Sequence, residues 1–420
     1  MNNKSTGIFV TLISVLLGMG CSSVTSEKRV RHSVQTHYSV GEGQFSNSIS
    51  HVLGPPLVDG NRIDELHNGD QVFPAMLEAI RKAQKTITLE SYIWKAGKIT
   101  KQFADALSER ARNGVKVHIL VDTLGSSKLR RREIVQLRKA GAEFVKFNFP
   151  LPFNFLRINH RTHRKIMIVD GKIGFTGGVC LADAWQGNAE RGHWRDTHFR
   201  VQGPVVGQMQ AAFLDNWLQA RSQILHGEEY FPELKPVGPT PAQFFKSGAR
   251  DGAENALQTY LLSIAAARTN ILLAHAQFVP NDLLMNALLS ARERGVKIQV
   301  VTPARLDNFA VRMASRSRYG KLLKAGVEIF EYQPTLFHCK IMIVDDVWVT
   351  AGSVNFDERS FRINGEANMN VLDRGFAARL TRSFEADKAK SRQVRVEDFQ
   401  KRNWIAKGFD YVMGFFRSQL

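Results

Sequence analysis

Cysteine is scarce in this chain: only Cys21, Cys180 and Cys339 occur in 420 residues. Three thiols are too few for a disulfide framework, and their spacing matches no metal-ligand pattern. A membrane-spanning run is missing too, because the apolar stretch Ile8 to Met19 is too short to cross a bilayer as a helix. Acidic residues are few, with 39 Asp and Glu against 57 Lys and Arg, which leaves a formal charge of +18. A hydrophobic content of 44% with 23% charged residues excludes a disordered chain. The length suffices for two ordinary domains, each with its own core.

The basic excess gathers in runs such as Lys128 to Arg132 and Arg312 to Lys324. Such a surface attracts polyanions, either nucleic acid or an anionic membrane, and a solvated basic face with no partner is the plain alternative. At the N-terminus, Lys4, the apolar run and Gly18-Met-Gly20 lead into Cys21-Ser-Ser, the pattern of an export signal. A cysteine at the cut points to a lipoprotein with Cys21 carrying the lipid, although Gly18 stands where such signals usually have Leu. The expected location is bacterial and membrane-associated, either exported and lipid-anchored or peripheral on the inner membrane. Residues 22–58 read as a polar tether.

From there the chain repeats itself. Ala111-Arg-Asn-Gly-Val-Lys-Val-His-Ile-Leu-Val recurs as Ala291-Arg-Glu-Arg-Gly-Val-Lys-Ile-Gln-Val-Val, each copy a helix end, a turn and an apolar strand. Leu137 to Glu143 recurs as Leu323 to Glu328, and Thr86 to Glu90 as Asn270 to Ala274. The offset is far longer than a solenoid repeat, so this is a duplicated domain. Helices alternating with buried strands predict α/β lobes with mainly parallel pairing. The lobes are expected at 59–231 and 246–420, joined by a Pro-rich linker at 232–245.

Each half carries His-x-Lys followed after four residues by Asp. His163-Arg-Lys165-Ile-Met-Ile-Val-Asp170 leads to Gly177-Gly178, and His338-Cys-Lys340-Ile-Met-Ile-Val-Asp345 leads to Gly352-Ser353-Val-Asn355. The histidines, lysines and aspartates are all 175 positions apart, which sets Cys180 against Asn355. Apolar, β-rich residues make each motif a strand, where residues two apart share a face. His and Lys therefore project together, and two such pairs facing each other suit a phosphodiester. One imidazole attacks phosphorus, the other moves the proton of the leaving or incoming oxygen, and the lysines hold the nonbridging oxygens. Asp170 and Asp345 lie on the opposite face of a regular strand, so turn stabilisation competes with catalysis for them. Asp196, following His163, and Glu366, following His338 at a comparable distance, are candidates to fix the imidazole tautomer of their own half. Neither a metal nor a cofactor is expected.

The twin motifs resemble those of the phospholipase D superfamily. Asp59-Gly-Asn61, Asn68-Gly-Asp70, Leu89-Glu-Ser-Tyr92, Asn159-His-Arg-Thr-His163, Gly352 to Ser360 and Asn364-Gly-Glu366 are similar to bacterial cardiolipin synthases, over roughly residues 58 to 395. The resemblance implies two duplicated phospholipase D-type α-β-α sandwich lobes, packed pseudo-symmetrically with one active site between them. It also implies transfer of a phosphatidyl group, typically from phosphatidylglycerol, to a second lipid hydroxyl, with His163 as nucleophile and His338 as general acid. Phospholipase D hydrolysis is the nearest variant and a nuclease the next. Cys180 departs from the family's usual Asn, a change expected to repack locally. The partners implied are phospholipid substrates and an anionic membrane, not nucleic acid. The aromatic runs Phe147 to Phe155 and Trp404 to Phe416 fit an interfacial role or a core.

Overall fold

The computed structural model describes residues 30, 32–147, 160–190, 192–248, 254–305 and 309–397. The signal segment with Cys21, most of the Phe147 to Phe155 run and the Trp404 to Phe416 run lie outside them. In the first half the strands are β1 (Val58–His67), β2 (Thr86–Ser91), β3 (Lys116–Asp122), β4 (Glu143–Phe147), β5 (Lys165–Val169), β6 (Ile173–Gly177) and β7 (Thr197–Gln202). The second half repeats them as β8 (Thr240–Ser247), β9 (Asn270–His275), β10 (Lys297–Pro303), β11 (Glu328–Tyr332), β12 (Lys340–Val344), β13 (Trp348–Gly352) and β14 (Glu366–Leu372), and adds β15 (Ser391–Val394).

All fifteen form one sheet in the order β15-β11-β10-β9-β12-β13-β14-β8-β1-β7-β6-β5-β2-β3-β4. The order reads the same outward from the centre in both directions, apart from β15, so the halves are related by a pseudo-twofold at the antiparallel β1–β8 seam. Parallel pairing is confined to β2-β3-β4 and β9-β10-β11, and every other pair is antiparallel. The expectation of mainly parallel pairing therefore holds only where a helix returns the chain. Short turns such as the one joining β5 to β6 force antiparallel neighbours.

Alternation along the motif strands assigns the faces. Ile166 and Ile168 join Ile341 and Ile343 in a core shared by both halves, beneath the helices Val205–Arg221 and Arg374–Ala389. Met167 and Val169 face a core covered by the helices Asn68–Lys82 and Lys98–Arg112, and Met342 and Val344 face its counterpart in the second lobe. Lys165 and Lys340 fall in register with this second set, which fixes the face that carries the chemistry.

Two boundaries differ from the sequence expectation. Within the supposed tether 22–58, Gly43–Leu53 is a helix whose Phe45, Ile49 and Leu53 are buried in the second lobe. Phe45 meets Trp348 edge to face at 4.8 Å. Each such side chain contributes about 1.5–3 kcal/mol on burial, enough to hold an otherwise polar segment. The supposed linker 232–245 ends early, because β8 begins at Thr240 and joins the seam; there Gln243 accepts a hydrogen bond from Asn370 at 2.9 Å.

Candidate active site

Each motif enters its strand through a short extended segment that is held by the other lobe. Thr162 forms an isolated bridge with Gly365, and Phe337 forms one with Arg195. The N–H of His163 donates to Gly365 O and that of His338 to Arg195 O, both at 2.7 Å. Gly365 and Arg195 immediately precede Glu366 and Asp196. The same bridges that place the histidines therefore deliver a carboxylate from across the pseudo-twofold.

The carboxylates are exchanged between halves. His163 Nδ1 lies 2.9 and 3.0 Å from the oxygens of Glu366, and His338 Nδ1 lies 2.7 Å from Asp196 Oδ2. Both carboxylates are fully buried. Glu366 is further held by the Ser353 hydroxyl and by Asn364 Nδ2 at 3.3 Å. Asp196 is held by Trp185 Nε1 at 2.9 Å and Thr197 N at 2.8 Å. At Gly178, the counterpart of Ser353, an added Cβ would collide with the Asp196 carboxylate, so glycine is required for close approach.

The two lysines sit below their histidines. Lys165 Nζ donates to His163 O at 2.5 Å, and Lys340 Nζ donates to His338 O at 2.6 Å. Burial, joined by the lysine charges, pushes His163 down to about 4 and His338 to about 3 against the pull of their carboxylates. Burial also lowers Lys165, and it brings Lys340 to about 8 with the help of the Lys165 charge. Burial opposes ionisation of Glu366 and Asp196, but the facing histidine and lysine outweigh it and hold both below the usual carboxylate range. At neutral pH the site thus holds two carboxylates and two neutral imidazoles beside the two lysines, with each Nδ1 directed at a carboxylate.

Asp170 and Asp345 do not join this cluster, which corrects the catalytic role expected for them. Each sits in the turn at the far end of its motif strand, at positive φ of 52° and 50°. Five residues of strand, about 16 Å, separate each from its lysine. Asp170 accepts the N–H groups of Gln84, Lys85 and Thr86 at 2.7–3.2 Å. Asp345 accepts those of Arg268, Thr269 and Asn270 at 2.7–3.1 Å. They fasten the motif strand to the start of its neighbour. Cys180 and Asn355 are both buried, and Asn355 Oδ1 has no hydrogen-bond partner among the described residues. Cys339 is buried on the other strand face at 3.6 Å from Thr197 Oγ1, its thiol pushed up to about 12 by burial.

Sequence reasoning missed the aromatic walls and the crossing of the carboxylates. The Tyr92 ring stands 4.9 Å from His163, with Lys165 Nζ 5.4 Å from its centre. Trp185 and Trp194 stand 5.2 and 5.3 Å from His338. Arg195 is braced by Asp387 at 2.9 Å. Among the described residues, no group of three or more His, Cys, Asp or Glu could hold a metal ion.

Comparison with known proteins agrees with this architecture. The family model described as cardiolipin synthase, PLD-like domain, matches residues 76–217 and 260–388. The chain is 36% identical to the probable cardiolipin synthase YwiE of Bacillus subtilis strain 168, over 81% of this chain and 69% of that protein. It is 36% identical to the major cardiolipin synthase ClsA of the same organism, over 83% and 73%. It is 33% identical to cardiolipin synthase 1 of Bacillus anthracis, over 90% and 76%. Among solved structures, the phosphatidylserine synthase of Haemophilus influenzae Rd KW20 shares the fold, with a TM-score of 0.70 at 12% identity over 90% of this chain and all of that one.

Proposed function

The chain belongs to the cardiolipin synthase family of phospholipase D-like proteins, and from that premise we propose how its site performs the reaction. The protein is a phosphatidyltransferase of cardiolipin-synthase type, acting on phospholipids. The carrying observation is the pair of buried histidines, each backed by a carboxylate of the other lobe and flanked by an ammonium group.

In the proposed first half-reaction, Nε2 of His163 attacks the phosphorus of a phosphatidylglycerol, and a P–N bond replaces the P–O bond to glycerol. The leaving oxygen takes a proton from His338. In the second, a hydroxyl of another phospholipid gives its proton back to His338 as its oxygen attacks phosphorus and the P–N bond breaks. The products are cardiolipin and glycerol. Lys165 and Lys340 hold the nonbridging oxygens throughout, a role that depends on their remaining charged in a dry site. Glu366 stabilises the positive charge that His163 acquires on phosphorylation. His338, lowered to about 3 by burial, is neutral at physiological pH, so it must gain its proton with substrate. The phosphodiester's negative charge offsets the two lysines and raises its proton affinity.

No helix among the described residues is long and apolar enough to cross a membrane. Export with Cys21 carrying a lipid is a separate part of the proposal, supported by the pattern of residues 1–21 alone and tested by the mass of the mature N-terminal peptide. The catalytic reading is tested by mass spectrometry of products from phosphatidylglycerol vesicles. Cardiolipin plus glycerol is expected, with His163→Ala and His338→Ala each reducing it at least about 10³-fold. Phosphatidic acid alone would replace synthesis by hydrolysis, and substantial activity in either variant would overturn the two-histidine mechanism.

A further inference from the structure

The two basic runs of the chain meet different fates in the fold. In the helix Phe309–Lys324, Arg316 pairs with Glu331 and Arg318 with Asp282, both at 2.7 Å, so these charges are neutralised within the second lobe. The run at 128–132 lies between β3 and the helix Arg131–Lys139. There Arg132 pairs with Glu133 at 2.8 Å. Lys128, Arg130 and Arg131 are exposed and have no ion pair among the described residues. Their position also works against local stability. Arg130, Arg131 and Arg132 stand at the start of the helix, where the unpaired N–H groups already carry positive charge and a carboxylate is the favourable neighbour. Cations that weaken a helix end, two of them without an internal partner, point to an anion outside the fold.

This loop borders the mouth of the site. β3 ends at Asp122, whose Oδ2 accepts Thr162 N at 3.1 Å, one residue before His163. Gly125 packs so closely on Tyr92 that an added Cβ would lie 2.0 Å from the tyrosine's carbonyl oxygen, and the Tyr92 ring stands 4.9 Å from His163. The loop between β2 and the helix Lys98–Arg112 is joined to it, since Ala96 N donates to Lys128 O at 3.1 Å. That loop adds Lys95, partly exposed, and Lys98, exposed, again with no ion pair among the described residues. Neither 92–98 nor 123–132 contains an Asp or Glu. Leu129 is buried in the first-lobe core and anchors the loop, whereas Leu124 is 41% exposed.

The substrates decide which polyanion suits this face. A phospholipid keeps its acyl chains in a bilayer, so its phosphate reaches the buried histidines only if the mouth lies against the headgroups. Loops beside the mouth then meet that surface first. Cations among which a leucine is exposed fit an anionic lipid interface: the charges meet headgroup phosphates and the leucine enters the acyl boundary. We propose that the loops 92–98 and 123–131 are the membrane-docking face of the protein. They seat it on an anionic phospholipid bilayer with the His163 side of the mouth open toward the lipids. This rests on the phosphatidyltransferase reading of the site.

The test uses the full chain and vesicles of phosphatidylglycerol mixed with phosphatidylcholine. Hydrogen exchange should slow in both loops on vesicles and stay unchanged in the segments 84–86 and 170–172, which meet at the far ends of β2 and β5. A second readout is the ratio of turnover on vesicles to turnover on short-chain phosphatidylglycerol dissolved as monomers. Lys128→Gln, Arg130→Gln and Arg131→Gln combined should lower that ratio on the order of tenfold or more, while the urea midpoint holds or rises because the helix end is relieved. Lys85, Lys172 and Lys297 are exposed at strand ends remote from the mouth. Lys85→Gln, Lys172→Gln and Lys297→Gln combined remove the same charge and should change the ratio less than about twofold. An equal fall in both triple variants, or an absence of protection in the loops, would overturn the docking face. Protection of the loops by a DNA duplex and not by vesicles would overturn it in favour of nucleic acid. Loop protection on vesicles with no turnover of either lipid form would support the face and overturn the phosphatidyltransferase reading.

Discussion

The half-site around His163 and the half-site around His338 have the same backbone and different surroundings. Both have a lysine two residues on, a buried carboxylate supplied by the opposite lobe, and an aspartate fastening the far end of the strand. They differ in what supports the carboxylate, with Ser353 and Asn364 on one side and Trp185 on the other. They differ again at the rim, where Tyr92 and Arg161 face Trp185 and Trp194. The difference follows the chemistry. Displacement at phosphorus passes through a nearly symmetric arrangement with one oxygen or nitrogen on each side, so near-identical machinery serves both ends. The molecules that arrive and depart are not alike, and the walls need not be either.

The comparison is broken most severely at the exchanged carboxylates. Glu366→Gln and Asp196→Asn are each expected to lower turnover about 10²- to 10⁴-fold, since each leaves an imidazole without its tautomer-fixing partner. Histidine NMR sharpens the point: Glu366→Gln should move the His163 ring signals and Asp196→Asn those of His338. A shift confined to the histidine of the same lobe would contradict the crossing. A smaller effect is expected from pH. Lys340, lowered by burial to about 8, is charged below that value and neutral above it, so kcat/KM should fall as pH rises through about 8. Lys340→Arg, charged at all accessible pH, should remove this alkaline limb whatever it does to the maximal rate. An unchanged limb would assign it to another group. The smallest effect on chemistry belongs to Asp170→Asn and Asp345→Asn. Each should lose about 1–3 kcal/mol of stability, visible in urea melts, from weakened bonds to three backbone N–H groups. Their kcat should stay within about threefold. A collapse of kcat with unchanged stability would return these aspartates to the reaction.

Much of this was legible in the sequence because duplication doubles every signal. The two His-x-Lys strands, their shared face and the lobe architecture follow from periodicity and from one repeated offset. The remote carboxylates could be picked out by residue type, but their partners could not. Asp196 is closer in sequence to His163 yet bonds His338, since pairing is set by strands that meet across the seam and not by sequence distance. Asp170 and Asp345 were ambiguous because a seven-residue offset from histidine fixes a strand face but not what waits at the strand's end. The helix Gly43–Leu53 was hidden by its polar neighbours, since only three of its side chains face the core. The aromatic rims were hidden for a similar reason. Tyr92 meets His163, and Trp185 and Trp194 meet His338, only through the fold.

The β1–β8 seam makes the molecule equivalent to two subunits joined edge to edge within one continuous sheet. Two identical lobes paired in that way would close the same sheet and trade the same carboxylates, so the covalent connection adds no catalytic contact. What it adds is independence. In a homodimer every substitution on the rim would appear twice, facing itself, and a binding surface for one molecule would be a binding surface for two copies of it. A single chain lets one rim carry an arginine where the other carries a leucine, so the two ends of one site need not match.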